Sequence, residues 1–333
     1  MLVTGGGGFI GSHLTAELLH REHEVVVLDD LSTGRYENVA LYLDAPGFDF
    51  VHGSILDAEL LDEAVGRCDL VLHLAAAVGV RLIVDQPVES LRTNILGSQC
   101  VIEAAHAHGR PVLVTSSSEI YGKNDSDLLS ESDDRVLGSP LKARWSYSEA
   151  KAIEEVLAYT YWKQKGLPTV IVRLFNTVGP RQSGAYGMVV PRFADQALRG
   201  EPLTVYGDGK QTRCFCHVAD IVGPLVDLAT DERSYGSVVN LGSAEEVSIE
   251  GLATRMIELT DSPSEIRYVS YDAAYEEGFE DMPRRVPDLS KARALIGYEP
   301  AHDLDSIILS VVDERRASLG LEREPVPTRD HDG

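Results

Sequence analysis

The segment Gly5-Gly-Gly-Gly8-Phe-Ile-Gly11 follows the apolar opening Met1–Thr4 directly and runs into a helical period over Phe9–His20. A strand that turns on glycines into a helix lets backbone N–H groups approach a pyrophosphate, which then sits at the positive end of the helix. The spacing Gly5-x-x-Gly8-x-x-Gly11 differs by one residue from Gly-x-Gly-x-x-Gly but serves the same purpose, and Gly11 lets helix and strand pack closely. Taken alone, a glycine-rich turn can be only a turn. The next strand, Glu24–Leu28, ends at Asp29 and Asp30. A carboxylate there accepts from both ribose hydroxyls of an adenosine and repels a 2′-phosphate. Loop and acidic strand end together point to a dinucleotide, NAD in preference to NADP. The plainer alternative is a surface aspartate that merely ends a strand.

Short β-branched runs continue to alternate with helical stretches. Phe50–His52, Leu70–Leu74, Val112–Thr115 and Thr169–Arg173 read as strands, and Leu60–Val65, Pro87–His108 and Tyr147–Lys165 as helices. This alternation predicts an α/β fold, a Rossmann-type doubly wound parallel sheet covered on both faces. After Asn176 the elements shorten and Pro, Gly and aromatic residues increase, so a smaller mixed α/β substrate domain is expected, while Val238–Leu241 returns a strand to the sheet. The expected division is residues 1–176 with a returning segment at 214–242 for the dinucleotide, and 177–213 with 243–319 for the substrate. The length of 333 residues fits about two domains. From Gly320 onward almost no apolar residue remains, and 320–333 reads as a frayed tail.

The net charge of −23 comes from 30 Lys+Arg against 53 Asp+Glu and argues against binding nucleic acid. No apolar run reaches the roughly 18 residues of a membrane span, and Met1 opens straight into a strand without a secretory signal. A cytoplasmic protein with no membrane contact is expected. The four cysteines are too few for a disulfide scaffold at this length. Cys214-Phe-Cys216-His217 has the wrong spacing for a zinc knuckle and no second pair answers it, so it reads as a strand with alternating faces, and no metal is expected.

Tyr147 and Lys151 stand at i and i+4, on one helix face. An adjacent ammonium favours the phenolate, so the Tyr147 phenol is expected to fall from about 10 toward working pH and act as a base for a hydroxyl. Such a pair also arises by chance on amphipathic helices. Ser116-Ser117-Ser118 follows the strand Val112–Thr115, at the carboxyl end of the sheet where open α/β folds bind ligands. One of these hydroxyls can bond the oxygen that Tyr147 deprotonates, although a serine triplet in a loop is otherwise a turn. With the glycine loop they form a Ser–Tyr–Lys site over a nicotinamide.

These residues resemble the extended short-chain dehydrogenase/reductase family, in particular its nucleotide-sugar epimerases, dehydratases and decarboxylases. The resemblance runs through Thr4–Ser12, His73-Leu-Ala-Ala76, Ser117-Ser-Glu-Ile-Tyr-Gly122, Tyr147-x-x-x-Lys151, Leu174-Phe-Asn-Thr-Val-Gly-Pro-Arg181, Leu203–Gly209 and Asn240-Leu-Gly242. It implies a catalytic trio of Ser117, Tyr147 and Lys151, with Lys151 also holding the nicotinamide ribose. Beyond Gly5, Gly8, Gly11, Asp29 and Asp30, it implies an NAD shell of Phe9, Ile10, Ile55, Leu74, Ala75, Ala76 and Asn94. After the third strand the family usually carries an aspartate that contacts adenine, and here Ser54 takes that place. On the substrate side it implies Asn176 at the diphosphate, Arg213 and Arg285 as a phosphate or sugar clamp, and Tyr206 packed on uracil. It also implies a homodimer joined through helices 87–108 and 147–165, whose apolar stripes could equally be intrachain core.

The shared first step in such enzymes is oxidation at C4 to a 4-keto sugar. Lys142-Ala-Arg144-Trp145-Ser-Tyr147, Ser118-Glu119 and Arg213-Cys-Phe215 resemble enzymes that act on UDP-glucuronate. Glu119 reads either as an acid or base near C5 or as a loop carboxylate paired with an arginine, and Arg144 and Trp145 either as site residues or as helix-entry packing. The segment Ala75–Arg81 resembles the epimerase loop and lacks a Ser-Pro-rich stretch. The first expectation is therefore a UDP-glucuronate 4-epimerase, followed by a UDP-glucuronate decarboxylase, then a UDP-glucose or UDP-GlcNAc 4-epimerase. For a uronate carboxylate the candidate donors are Ser116, Ser117 and Thr177, with Arg181 or Arg192 more distant. Neutral hydroxyls would hold it in the plane of the ketone ring, where loss of CO2 is disfavoured. A dinucleotide-binding regulatory protein that keeps the fold without the chemistry is the reading from another class.

Overall fold

The computed structural model describes residues 1–79, 86–184, 188–270, 282 and 284–321. The strands β1 (Leu2–Thr4), β2 (Val25–Asp29), β3 (Phe48–His52), β4 (Val71–His73), β5 (Val112–Ser117) and β6 (Thr169–Leu174) lie in one parallel sheet. The short strands β7 (Thr177–Val178), β8 (Leu203–Tyr206), β9 (Thr212–Cys214) and β10 (Cys216–His217) intervene before β11 (Ser237–Leu241) completes it. Strands β12 (Glu246–Ser248) and β13 (Ile266–Val269) follow. The seven-stranded order is β11-β6-β5-β4-β1-β2-β3. The order reverses between β1 and β4, which makes the crevice above their carboxyl ends the place where such a sheet takes a ligand.

Continuous apolar runs form these strands because helices cover both faces; every residue of β1, β2 and β4 is buried. On one face α1 (Phe9–His20) packs with a helix at Ala219–Thr230 and another at Ser290–Ile296, around Leu14, Leu18, Ile221, Leu225 and Ala292. On the other face lie α3 (Ala58–Gly66), α5 (Ser98–Ala107) and α6 (Ser146–Lys165), packed through Leu61, Val101, Ile102 and Ala158, while α2 (Tyr36–Ala40) lies beside the glycine loop. A separate core gathers α7 (Val189–Leu198), α9 (Ile249–Thr260) and α11 (Leu304–Leu319) with β8 and β13, around Phe193, Leu252, Met256 and Ile308. The helices at 219–230 and 290–296 are α8 and α10, so part of the stretch expected to belong with the substrate packs under the sheet instead.

Other details differ from the sequence reading. The helix expected over Pro87–His108 begins as α4 (Pro87–Leu91), widens into a π-helical segment at Arg92–Gly97 and continues as α5. An extra residue in a helical turn leaves the apolar period nearly intact, so period alone does not reveal it. Ser116 and Ser117 belong to β5 itself, and only Ser118 begins the following 3₁₀ turn, Ser118–Tyr121. Cys214-Phe-Cys-His217 is two short strands, β9 paired antiparallel with β12 and β10 parallel with β7. Cys214, Phe215 and Cys216 are all buried, with Phe215 in the core around Phe193 and Cys216 in the one around Leu14. No helix among the described residues is long and apolar enough to cross a membrane. Residues 322–333, most of the expected tail, lie outside the described residues, as do Val80 and Arg81 of the epimerase-like loop.

Candidate active site

The carboxyl ends of β1, β2, β4, β5 and β6 open into a cavity of about 970 Å³ that continues over β7 and β8. Its dinucleotide end is built by the glycine loop. Gly5 has φ +76, and a Cβ there would meet Ala75 N at 2.7 Å. A Cβ on Gly11 would meet the Gly5 carbonyl at 2.1 Å, so only glycine lets α1 start this close to β1. Gly8 precedes α1 without a side-chain cap, and the first turn carries no acidic residue. The exposed N–H groups and the positive end of the macrodipole therefore face the cavity. Asp29 accepts from Gly7 N at 2.8 Å and Leu31 N at 2.7 Å. Burial pushes its carboxyl up, against those two bonds. Asp30 is exposed on the same rim. These features fit a dinucleotide: a pyrophosphate meets the helix end, and a ribose meets the two carboxylates.

Gly5, Gly8, Phe9, Ile10, Gly11, Asp29, Asp30, Ile55, Leu74, Ala75 and Ala76 all line the cavity. Ser54 and Asn94 do not. Ser54 Oγ turns back to accept from Leu56 N at 3.3 Å, while its neighbours Gly53 and Ile55 form the wall. Asn94, in the π segment, accepts from Ala77 N at 2.7 Å and donates to Ala77 O at 3.0 Å. It holds the wall at Ala77, beside the space that its neighbours Ser90 and Thr93 line. The sequence reading also missed Asn38, whose buried amide donates to Gly7 O at 2.9 Å and ties α2 to the glycine loop.

At the centre, β5 ends at Ser116 and Ser117 and α6 begins with Tyr147 one turn from Lys151. Ser117 lies beside the Tyr147 phenol and works to lower it. The phenol does not fall as expected. Burial raises it, and the Lys151 charge offsets this only in part because Glu154 and Glu119 push the same way as burial. Lys151 Nζ donates to Thr115 O at 2.7 Å and to Glu154 Oε2 at 2.6 Å. Ser116 Oγ is buried without a hydrogen-bond partner, a donor and acceptor left for a bound group.

The far end is cationic. Glu119 lies between two guanidiniums, 2.6 Å from Arg285 and 2.5 Å from Arg144. Burial alone would raise its carboxyl, but Arg285 and Arg144 hold it down at about 2. A group this acidic carries no proton to give near neutral pH, and the arginine pairing is the arrangement that the geometry shows. Arg285 also donates to Ser118 Oγ at 3.3 Å and Asn176 Oδ1 at 3.5 Å. Asn176 in turn donates to Cys214 O at 3.0 Å. Arg144, Thr177, Arg181, Arg192, Tyr206 and Arg213 line the same space. Arg181 donates to the Tyr42 hydroxyl at 3.1 Å, and the Arg192 guanidinium stacks 4.4 Å from the Tyr206 ring centroid. The cavity thus joins a dinucleotide cradle to a Tyr–Ser–Lys centre and an arginine-rich end suited to an anionic second ligand.

The chain is similar to known proteins over most of its length. The model of the NAD dependent epimerase/dehydratase family matches residues 1–242. The chain is 42% identical over 301 residues to the UDP-N-acetyl-alpha-D-glucosaminuronate decarboxylase of Bacillus cytotoxicus, spanning 90% of this chain and 92% of that one. It is 37% identical over 321 residues to UDP-glucuronic acid decarboxylase 1 of Xenopus tropicalis, spanning 96% of this chain and 72% of that one. Among solved structures, the UDP-glucuronic acid 4-epimerase from Bacillus cereus in complex with UDP-glucuronic acid and NAD aligns with TM-score 0.85 at 29% identity, over 95% of this chain and 99% of that one. A match that runs through glycine loop, serine strand end and tyrosine–lysine helix alike makes this chain a member of the NAD dependent epimerase/dehydratase family.

Proposed function

We propose that the chain is a UDP-hexuronate decarboxylase that uses NAD. The observation that supports a uronate substrate is the arginine-rich sugar end, where Arg144, Arg192, Arg213 and Arg285 line the cavity and outnumber Glu119, the carboxylate that Arg144 and Arg285 share. Guanidiniums recognise a carboxylate through paired, planar hydrogen bonds, whereas a hexose CH2OH calls for no such charge. The order differs from that expected from the sequence, in which Ser116, Ser117 and Thr177 were the candidate donors with Arg181 or Arg192 more distant, and the Ala75–Arg81 loop put the 4-epimerase first. The identities of 42% and 37% to two decarboxylases, against 29% to the UDP-glucuronate 4-epimerase, support the same order.

NAD, when bound, supplies the redox step by taking hydride from C4 and later returning it. The chain does the rest. Tyr147 accepts the proton of the C4 hydroxyl, with Ser117 beside the same phenol and Lys151 supplying positive charge next to it. The resulting 4-ketone is β to the carboxylate. When the C5–C6 bond breaks, CO2 leaves and the electron pair moves toward O4, where the Tyr147 and Ser117 hydroxyls donate to the developing oxyanion. Asp29 and Asp30 hold the adenosine ribose, and the N-terminus of α1 holds the dinucleotide's pyrophosphate. Asn176, Arg213 and Tyr206 face the nucleotide of the sugar. The retained Tyr147 and Lys151 argue for this enzyme reading over a regulatory protein. The dinucleotide unit in this proposal is 1–176 with the return at 214–242, joined by α10.

Incubation with NAD and, separately, UDP-glucuronate, UDP-N-acetylglucosaminuronate and UDP-glucose tests the reading. The expected products from either uronate have lost the mass of CO2, and UDP-glucose is not turned over. A product of unchanged mass with an inverted C4 proton would establish a 4-epimerase instead.

A further inference from the structure

Below the Tyr147–Lys151 pair the chain buries a second acid that the mechanism above does not use. Glu154 sits one helical turn beyond Lys151 on α6, and its side chain is fully buried. Its Oε2 lies 2.6 Å from Lys151 Nζ. Its Oε1 lies 3.5 Å from His73 Nε2 and is buried without a hydrogen-bond partner. His73 is also buried; its Nε2 meets Ser98 Oγ at 3.0 Å, and its Nδ1 meets Thr4 Oγ1 at 2.7 Å. Burial, then the Lys151 charge, pushes His73 down to about 3, so its ring is neutral. We assign the donors so that Thr4 gives its proton to Nδ1 and Nε2 gives its own to Ser98, while Lys151 alone donates to Glu154 among these groups.

We propose that Glu154 is a positioning residue: its buried carboxylate neutralises Lys151 and so sets how much positive charge Tyr147 meets. An unpaired ammonium at this depth would carry a large desolvation penalty. Glu154 offsets that cost and holds Nζ between Thr115 O and the carboxylate. It does so by cancelling part of the field that favours the Tyr147 phenolate. The other charged groups facing this cluster are accounted for. Glu155 on the same helix is paired with Arg173 of β6 through 2.9 and 2.8 Å bonds, and Glu119 is paired with Arg144 and Arg285.

The proposal rests on Tyr147 and Lys151 handling the O4 proton, and its test separates the two claims. Glu154→Gln keeps the shape and removes the charge. Lys151 then loses its counter-charge and Tyr147 loses a repelling one, so both ionise at lower pH. Both limbs of the kcat/KM profile for UDP-glucuronate are expected to move toward acid by about one pH unit, the scale of one close charge partner. A role in packing alone would lower activity and Tm and leave both limbs in place, which overturns the proposal. The ultraviolet titration of the Tyr147 phenol, isolated by subtracting Tyr147→Phe, reads the same shift without turnover. A shifted titration in a protein that acts on no uronate would overturn the decarboxylase reading and keep Glu154's role. If Glu154→Gln does not fold, Glu154→Asp withdraws the carboxylate by one methylene, and a smaller shift of the same sign is expected. Unmoved limbs in that variant would likewise overturn the proposal.

Discussion

Tyr147 carries the proton transfer in this account, and its environment explains why it needs company. Burial raises the phenol and the Lys151 charge works against that. Tyr147→Phe is expected to lower kcat by about 10²–10⁴, the usual scale for a positioned acid–base group, while NAD binding measured by fluorescence titration stays near wild type. Near-normal turnover would remove Tyr147 from the mechanism. Glu119 makes the opposite point. Burial works against its ionised form, yet Arg285 and Arg144 hold its carboxyl at about 2 in the fold against an ordinary 4.5. A depressed carboxylate stabilises the fold above its unfolded value and loses that contribution as pH falls toward its folded one. Acid titration of Tm should therefore show wild type losing more stability than Glu119→Gln between pH 4.5 and about 2. Parallel curves would mean the arginines do not hold it. The pairing was not legible in the sequence, because Arg285 lies 166 positions from Glu119 and only the fold brings them together.

At the scale of elements, the strand–helix alternation was readable because fully buried parallel strands are short apolar runs and their helices are periodic. The expected strands at Val112–Thr115 and Thr169–Arg173 became Val112–Ser117 and Thr169–Leu174, extended where polar or site residues carry the chain past the apolar run. The π segment at Arg92–Gly97 stayed hidden, and with it the task of Asn94. Its amide pins both backbone groups of Ala77, so Asn94→Ala leaves a part-buried donor and acceptor unpaired at a cost of about 1 kcal/mol. The expected result is a lower Tm and weaker NAD binding with the circular dichroism spectrum unchanged. Unaltered NAD affinity would show that the wall at Ala75–Ala77 does not depend on this clamp.

For the whole molecule, the sequence left open whether the stripes on the two long helices face inward or outward. Val101, Ile102, Ala105 and Ala158 go into the core, whereas Leu96, Ile153, Val156 and Tyr159 stay exposed. Exposed apolar positions gathered on two helices mark an interaction surface, and we propose a homodimer through them. Val156→Glu should turn a dimer into a monomer in sedimentation velocity, and a wild-type monomer would contradict this. The strongly acidic balance of the chain coexists with a cavity whose sugar end is arginine-rich, so anion recognition is local and invisible in the net charge. The most direct test of the central claim follows one atom, with UDP-glucuronate labelled with carbon-13 at C6 and turned over with NAD in an NMR tube. The account predicts that the label leaves the sugar and appears as bicarbonate and CO2. A label retained as a sugar carboxylate, with C4 inverted, would contradict it.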